Sequence, residues 1–202
     1  MPRTKEHNQQ IKDERREQIL AAALQLFATK GFAATKMADI SSETGISQGL
    51  IYHYFSSKDE VFNVLISSTT EKMNEAAINL EQLPFTAKEK IIFAAESLLK
   101  GLDGNLNTAN YYFLITQTAI SDSFPNEARQ TILEKNHIKY EVMSRIFKQG
   151  QEDGTVKDFD VKEMTTLFFS AINGLALNKA IYRLNFTMPG KTIFLQMFLK
   201  EI

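Results

Sequence analysis

The 202-residue chain is 44% hydrophobic and 23% charged, a balance that excludes a disordered or fibrous protein. It contains no cysteine, which excludes disulfide bonds, thiolate metal sites and cysteine nucleophiles. The net charge is −1, but residues 1–58 carry +2 and residues 59–202 carry −3. This small asymmetry agrees with a nucleic-acid-binding head on an acidic body, without establishing one.

The chain shows neither a targeting segment nor a membrane span. Its first ten residues, MPRTKEHNQQ, are polar where a signal peptide needs an apolar stretch. The longest uncharged apolar run, residues 164–178, has 15 residues, whereas a membrane-spanning helix needs about 20. We therefore expect a soluble, cytoplasmic protein without a membrane partner.

The first sixty residues predict three helices and the start of a fourth. An apolar stripe at helical spacing marks the first helix, over residues 12–30, and contains Ile19, Ala22, Ala23, Leu26 and Phe27. Thr35 is a candidate cap for a short second helix that Gly45 ends, and Ser47 for a third helix over 48–55. Ser57 and Glu60 have the capping-box spacing and predict a long fourth helix toward residue 83.

The remaining residues continue the helical pattern. Thr86 opens a helix that glycines end near residue 104, and a segment over 107–121 follows. Apolar positions from Ala128 to Phe147 predict one long helix that Gly150 or Gly154 ends. Asp160 opens the penultimate helix, to about residue 184, and a last amphipathic helix follows residues 188–190. The sequence thus predicts an all-α fold of about nine helices, with a head over residues 1–60 and a body over residues 61–202.

Residues 31–58 have the pattern of a helix-turn-helix unit. Such a unit needs a glycine where the backbone turns left-handed, a small residue four positions earlier and an apolar residue six positions later. Gly45, Ser41 and Ile51 occupy these positions. A plain three-helix bundle is the alternative interpretation.

The outer side of the third helix carries groups that suit the major groove of DNA. Gln48 can bind adenine N6 and N7 in a bidentate manner, and Gly49 allows close approach. The hydroxyl of Tyr52 suits a phosphate oxygen, and Lys58 lies at the positive end of the fourth helix, where phosphates bind. Simple surface positions remain the alternative for Gln48 and Tyr52. A basic arm containing Arg3 and Lys5 could enter the minor groove, with a tail that does not bind DNA as the alternative.

The chain resembles the TetR/AcrR family of bacterial transcriptional regulators. The matching positions, within roughly residues 15–65, are Ile19, Ala22, Ala23, Leu26, Phe27, Gly31, Phe32, Thr35, Ile40, Gly45, Ile46, Ser47, Gly49, Tyr52, Tyr54, Phe55, Lys58 and Val61. Ser41 and Thr44 stand where the family usually has alanines, and Tyr54 where it often has histidine. The candidate DNA-contacting residues are Thr35, Lys36, Ser47, Gln48, Gly49, Tyr52, His53, Tyr54 and Lys58. For Thr35 a capping role and a phosphate contact stay equally open.

The resemblance implies a homodimeric repressor that binds double-stranded DNA at an operator. Its body dimerises through the last two helices and encloses a pocket for a small-molecule effector, whose binding changes the spacing of the two heads and releases the operator. Two-fold symmetry of the dimer implies a near-palindromic operator. An activator, or a constitutive DNA-binding regulator whose body serves only dimerisation, is the alternative.

Residues 105–121 form an uncharged segment that mixes polar and aromatic residues. This mixture suits the wall of a cavity that surrounds a ligand and binds it with a few hydrogen bonds, whereas ordinary core is the alternative. Tyr140, Met143 and Phe147 lie at i, i+3 and i+7 of a later helix, a stripe that is more often core than cavity wall, although the resemblance implies that the corresponding helix does both. The candidate ligand-contacting residues are Tyr111, Tyr112, Gln117, Tyr140, Met143, Phe147 and Asn173.

The run over residues 164–178 is apolar on more than one side, so we expect one side to cover the core and the other to pack on a second subunit. Ala171 and Gly174 permit close approach of the two helices.

The sequence contains no catalytic motif of a common enzyme class. No ordered triad of serine, histidine and acid, no metalloprotease motif and no phosphate-binding glycine loop occurs, so the sequence predicts no enzyme. It also predicts no cofactor and no metal site.

Overall fold

The computed structural model describes residues 5–201, without the side chains of residues 5, 6 and 8. These residues form ten α-helices: α1 Lys5–Lys30, α2 Met37–Thr44, α3 Gln48–Tyr54, α4 Lys58–Gln82, α5 Ala87–Gly104, α6 Leu106–Ile120, α7 Asn126–Lys135, α8 His137–Glu152, α9 Val161–Tyr182 and α10 Lys191–Gln196. Within the same residues, β pairing is limited to one isolated bridge between Val156 and Leu199. The all-α prediction is confirmed.

Side-chain caps fix the starts of several helices as the sequence predicts. The Ser57 hydroxyl accepts from the Glu60 amide at 3.1 Å and the Thr86 hydroxyl from the Glu89 amide at 3.3 Å. The Asp160 carboxylate accepts from the amides of residues 162 and 163. Each cap satisfies backbone N–H groups that the first helical turn leaves without an intrahelical partner.

Two local predictions differ from the structure. The first helix begins at Lys5 rather than near residue 12. The predicted long helix is divided into α7 and α8, which are separated only by Asn136, a residue that itself keeps right-handed helical dihedral angles; beside this junction the Asn74 side chain donates to the Lys135 carbonyl at 3.0 Å. Of the two glycines predicted to end that helix, Gly150 lies inside α8, where its missing Cβ leaves room for the Val156 side chain, and Gly154 follows the end of α8 with a left-handed φ of 72°.

The helices enclose two apolar clusters, and α4 belongs to both. The head core joins buried residues of α1–α3 and the first half of α4 with Leu114, Ala128 and Ile132 from α6 and α7. The body core fills the space between α5, α6, α8, α9 and α10 and includes Leu80 near the end of α4. The helix that leaves the head therefore runs directly into the body.

Among residues 5–201, no helix has both the length and the apolarity that crossing a membrane requires.

Candidate nucleic-acid interface and body cavity

The turn between α2 and α3 is held by local hydrogen bonds. Gly45 has φ 67°, a left-handed conformation that glycine adopts without strain. The Ser41 hydroxyl donates to the Ile46 carbonyl at 2.6 Å, and the Thr44 hydroxyl accepts from the Ile46 amide at 3.3 Å. Gln18 of α1 donates to the Thr44 carbonyl at 3.1 Å, which ties the turn to the first helix. Ser41 and Thr44 thus stabilise the turn through their hydroxyl groups.

The inner side of α3 anchors this seven-residue helix in the head core. Ile51 is fully buried, and Ile46 and Phe55 are buried on either side of it. The guanidinium of Arg16 lies 4.6 Å from the centre of the Phe55 ring, which covers the end of α3. A helix this short is unstable alone, so the head core fixes the direction in which its outer side points.

The outer side of α3 is polar and exposed. Ser47, Gln48, Gly49 and His53 are exposed, and Tyr52 retains 48% of its side-chain accessibility. A Cβ added at Gly49 would meet no atom within 4 Å, so packing within the chain does not require glycine there. Five of the nine candidate DNA-contacting residues therefore share one accessible surface, which we call the α3 face: Ser47, Gln48, Gly49, Tyr52 and His53.

The other four candidates lie in different surroundings. Lys36 is exposed at the start of α2 and is the cap residue of that helix, since the Asp39 carboxylate accepts from its amide at 2.7 Å. The prediction that Thr35 caps α2 is wrong. The Thr35 side chain is buried, and its hydroxyl donates to the Gly31 carbonyl at 2.7 Å, which removes it from any surface that could meet a phosphate. Tyr54 is half-buried against the head core.

Lys58 contacts the head itself. Its ammonium group donates to the Phe32 carbonyl at 2.8 Å and lies 4.3 Å from the centre of the Phe32 ring. These contacts connect the start of α4 to the segment that joins α1 and α2. The ammonium is only partly accessible, so in this conformation Lys58 has a structural role in the head. Arg3 and the side chain of Lys5 lie outside the described residues.

Two carboxylates reinforce the ends of the head helices. The Lys30 ammonium at 2.7 Å, together with the Lys36 amide, lowers the pKa of Asp39. The hydroxyl and amide of Ser56, both 2.6 Å from Glu60, lower the pKa of that carboxyl group. Both groups are therefore ionised at neutral pH, and each accepts hydrogen bonds from donors beside the start of its own helix.

Helices α4, α5, α6, α8 and α9 surround a cavity of about 350 Å³, within the range of small-molecule sites. Its wall is largely apolar, with Leu80, Phe168 and Phe169 among the contributing side chains. Phe93 and Ser97 on α5 belong to the wall and are exposed, so the cavity opens to solvent beside α5. This arrangement can hold a small apolar molecule that enters from the surface of the body.

Three of the seven candidate ligand-contacting residues line the cavity, namely Tyr111, Tyr112 and Met143. Gln117 lies about a turn and a half beyond Tyr112 along α6 and does not reach it. Phe147 is fully buried in the body core against Phe168 and Phe198.

Tyr140 and Asn173 lie behind the cavity wall. The Tyr140 ring packs on Phe169 with a centroid distance of 4.3 Å. Burial raises the pKa of the Tyr140 phenol, and a contact with the Asn173 side chain partly offsets that effect. Neither residue is part of the cavity wall, but Tyr140 packs on Phe169, which is, and Asn173 contacts Tyr140.

The sequence interpretation missed Lys72 and Lys139, two lysines in the cavity wall. Lys72 is exposed, whereas Lys139 is half-buried, and removal from water lowers the pKa of its ammonium group to about 8. The sequence contained a signal for Lys139, because Lys139, Val142 and Met143 also lie at helical spacing. This stripe starts one residue before the predicted stripe of Tyr140, Met143 and Phe147.

Within residues 5–201, no group of three or more histidine, aspartate or glutamate side chains could hold a metal ion.

Comparison with known proteins decides what kind of molecule carries these two features. Residues 19–65 match the family of bacterial regulatory proteins described as the tetR family. The chain is also 30% identical over 188 residues to the uncharacterized HTH-type transcriptional regulator YfiR of Bacillus subtilis, covering 89% of this chain and 84% of that protein. The chain belongs to the TetR family. The family resemblance seen in residues 15–65 is confirmed, and this TetR protein is a transcriptional regulator rather than an enzyme.

Two further proteins extend the similarity beyond the head of this TetR chain. The fatty acid metabolism regulator protein of Bacillus subtilis is 29% identical over 160 residues, which cover 77% of this chain and 78% of that protein. The crystal structure of the transcriptional regulator FadR from Bacillus subtilis, in complex with stearoyl-CoA, superimposes with a TM-score of 0.65 at 24% identity, covering 85% and 90% of the two chains. The fold of the helical body is therefore shared with that regulator.

Proposed function

We propose that this TetR-family protein is a repressor whose homodimer binds a near-palindromic DNA operator and is released by a small apolar or aromatic effector. The observation that carries the proposal is the apolar cavity of about 350 Å³ in the same chain as an exposed, polar α3 face. Two similar proteins support the effector class, since one is named for fatty acid metabolism and the other was solved with stearoyl-CoA. Binding to the bacterial chromosome would locate the protein in the cytoplasm.

The α3 face is the proposed reader of the operator. Gln48 would bind a base edge in the major groove, where Gly49 lets the backbone approach the DNA closely. Ser47, Tyr52 and His53 would contact the phosphate backbone around it, and Lys36 at the start of α2 would add a charge. The head over residues 1–60 is the proposed DNA-binding unit and residues 61–202 the proposed effector and dimerisation unit, joined by α4.

Base reading and phosphate binding should separate in two variants of the α3 face. Gln48→Ala should weaken binding to the cognate operator by about 1–3 kcal/mol and relax the preference at one base pair. Tyr52→Phe should weaken binding to all sequences alike, because it removes a phosphate contact. Fluorescence titration against operators with single base-pair changes measures both effects. Gln130→Ala, the same change at an exposed position of α7, should leave every affinity unaltered. If Gln48→Ala and Tyr52→Phe relaxed the base-pair preference equally, the assignment of Gln48 to a base and of Tyr52 to a phosphate would be refuted.

The exposed side of α9 is the proposed dimer interface. Leu167, Leu177 and Ile181 are 49%, 38% and 58% exposed, and Gly174 lies among them on the same side of the helix. Leu184, just beyond α9, is 98% exposed, and Ile193 on α10 is 68% exposed. A two-fold axis through this side would cover an apolar surface that a monomer leaves in water.

The effector role predicts linkage between the cavity and the operator. A molecule that fills the cavity and favours the released conformation must weaken operator binding, by roughly 5–150-fold for a typical coupling of 1–3 kcal/mol. Operator titration with and without medium- and long-chain acyl compounds measures this factor. An effector that leaves the operator affinity unchanged would contradict release.

Transcription from an operator-bearing promoter separates a repressor from an activator. In the absence of effector, an activator raises transcript levels and a repressor lowers them.

A further inference from the structure

Charge in the cavity wall is of one sign. Lys72 and Lys139 are its only charged residues within the described part of the chain, and neither aspartate nor glutamate lines it. Lys72 lies at an exposed position, 4.0 Å from Glu17. Lys139, by contrast, is half-buried and forms no ion pair with any of the described residues. An ammonium group that is partly removed from water without a counter-ion is costly, and it is stabilised when an anion enters beside it.

A second hydrogen-bonding group lies in the same wall. Tyr112 is 6% exposed and lines the cavity, and the neighbouring Tyr140 phenol also affects its titration. Burial raises the pKa of this phenol well above its ordinary value, so the hydroxyl keeps its proton at neutral pH. It can therefore donate a hydrogen bond to an acceptor on a ligand. An ammonium and a phenol together suit one carboxylate, which accepts hydrogen bonds from both.

The surroundings of Lys139 are otherwise apolar and aromatic. Its ammonium nitrogen lies 5.8 Å from the centre of the Phe169 ring and 5.9 Å from that of the Tyr140 ring. Val142 and Met143, on the next turn of α8, line the same cavity. One polar end and an apolar remainder are the features of a site for an amphiphilic molecule, whose polar group fixes the orientation of its apolar part.

We propose that the effector of this regulator is an apolar monocarboxylate whose carboxylate binds the Lys139 ammonium and the Tyr112 hydroxyl inside the cavity. This inference rests on the proposed effector role of the cavity and specifies its chemistry. A single ammonium balances a single negative charge, which favours a free acid over a multiply charged acyl thioester of coenzyme A. The exposed Lys72 would then contact solvent at the rim rather than the carboxylate.

Probes of equal chain length that differ only in their polar end test the inference. Calorimetry on the full-length protein would compare dodecanoate, 1-dodecanol and dodecylammonium, with hexanoate to hexadecanoate as a length series. We expect dodecanoate to bind about 10–100-fold more tightly than dodecanol, as a charge-assisted hydrogen bond in an apolar site implies, and dodecylammonium to bind weakest. Lys139→Met should remove the preference for the carboxylate and preserve dodecanol binding.

Matched variants assign the effect to named groups. Lys72→Met changes the other lysine of the wall in the same way and should keep the carboxylate preference. Tyr112→Phe removes one oxygen atom and should lower dodecanoate affinity several-fold while dodecanol affinity stays constant. If Lys139→Met also loses dodecanol binding, that variant has damaged the cavity, and Tyr112→Phe then tests the carboxylate site on its own. Equal affinity for dodecanoate and dodecanol overturns the inference, as does loss of the preference in Lys72→Met alone or tighter, Lys139-independent binding of dodecanoyl-CoA.

Failure of the inference and failure of the proposed function give different results. If dodecanol or dodecanoyl-CoA binds the cavity and weakens operator binding while the carboxylate has no advantage, the effector role stands and only the carboxylate site is refuted. If no member of the acyl series binds, both the effector role for such compounds and the carboxylate site are refuted.

Discussion

Replacing Phe62 with alanine should lower the free energy of unfolding by about 3–5 kcal/mol. Phe62 is fully buried at the start of α4, and its ring contacts those of Phe27, Phe32 and Phe124 at centroid distances of 5.3, 4.9 and 5.2 Å. Truncation leaves a cavity and removes aromatic contacts that join α1, the segment after it and the segment between α6 and α7. Equilibrium unfolding in urea, followed by circular dichroism, measures the change.

An exposed phenylalanine provides the control for this experiment. Phe159 is 62% exposed before α9, so Phe159→Ala should change the free energy of unfolding by no more than about 0.5 kcal/mol. A similar loss in both variants would mean that the aromatic cluster around Phe62 does not stabilise the chain as its packing indicates.

Leu177→Glu should convert the proposed dimer into monomers and reduce operator affinity by about 10²–10⁴-fold. Leu177 lies on the exposed side of α9, and a two-fold axis would place its replacement in or beside an apolar interface, where a carboxylate without a partner is costly. Two linked heads bind a palindromic operator with avidity, and a monomer loses that factor. Analytical ultracentrifugation gives the oligomeric state and a fluorescence titration gives the affinity.

Leu133→Glu is the matched control, because Leu133 is 61% exposed on α7 and lies outside the proposed interface. It should preserve both the dimer and operator binding. A Leu177→Glu protein that stays dimeric would refute the α9 interface, and a monomer that binds the operator with unchanged affinity would refute the two-headed mode of binding.

The head was predictable from the sequence because its determinants are local. Gly45 sets the turn, Ser47 caps α3 and Ile51 anchors it, and all three act within a few residues of their own positions. The contacts of Lys58 were not predictable in this way. Its partner Phe32 lies 26 residues earlier, and only the folded head brings the two together.

The cavity was predictable as a region but not as a set of side chains. The uncharged α6 does supply Tyr111 and Tyr112 to its wall. On α8, however, the side chains of adjacent residues point about 100° apart. The predicted stripe began at Tyr140, which packs on Phe169, whereas the preceding residue, Lys139, lines the cavity. Which side of a helix faces a void depends on its neighbours, and periodicity alone does not distinguish a cavity wall from packed core.

The junction between α7 and α8 was not predictable either. Only Asn136 separates the two helices, and it keeps right-handed helical dihedral angles, so the sequence pattern continues across it. The Asn74 side chain that donates to the Lys135 carbonyl at this point lies 61 residues earlier in the chain, where no local pattern near residue 136 indicates it.

Leu114, Ala128 and Ile132 complete the head core from α6 and α7, and this has a consequence for building chimaeric regulators. A graft that transfers only the first sixty residues would leave Phe27 and Phe32 without Phe62 and Phe124, the rings that cover them. The unit that can be exchanged between proteins with its specificity intact therefore includes the first half of α4 and a host whose sixth and seventh helices present equivalent apolar side chains.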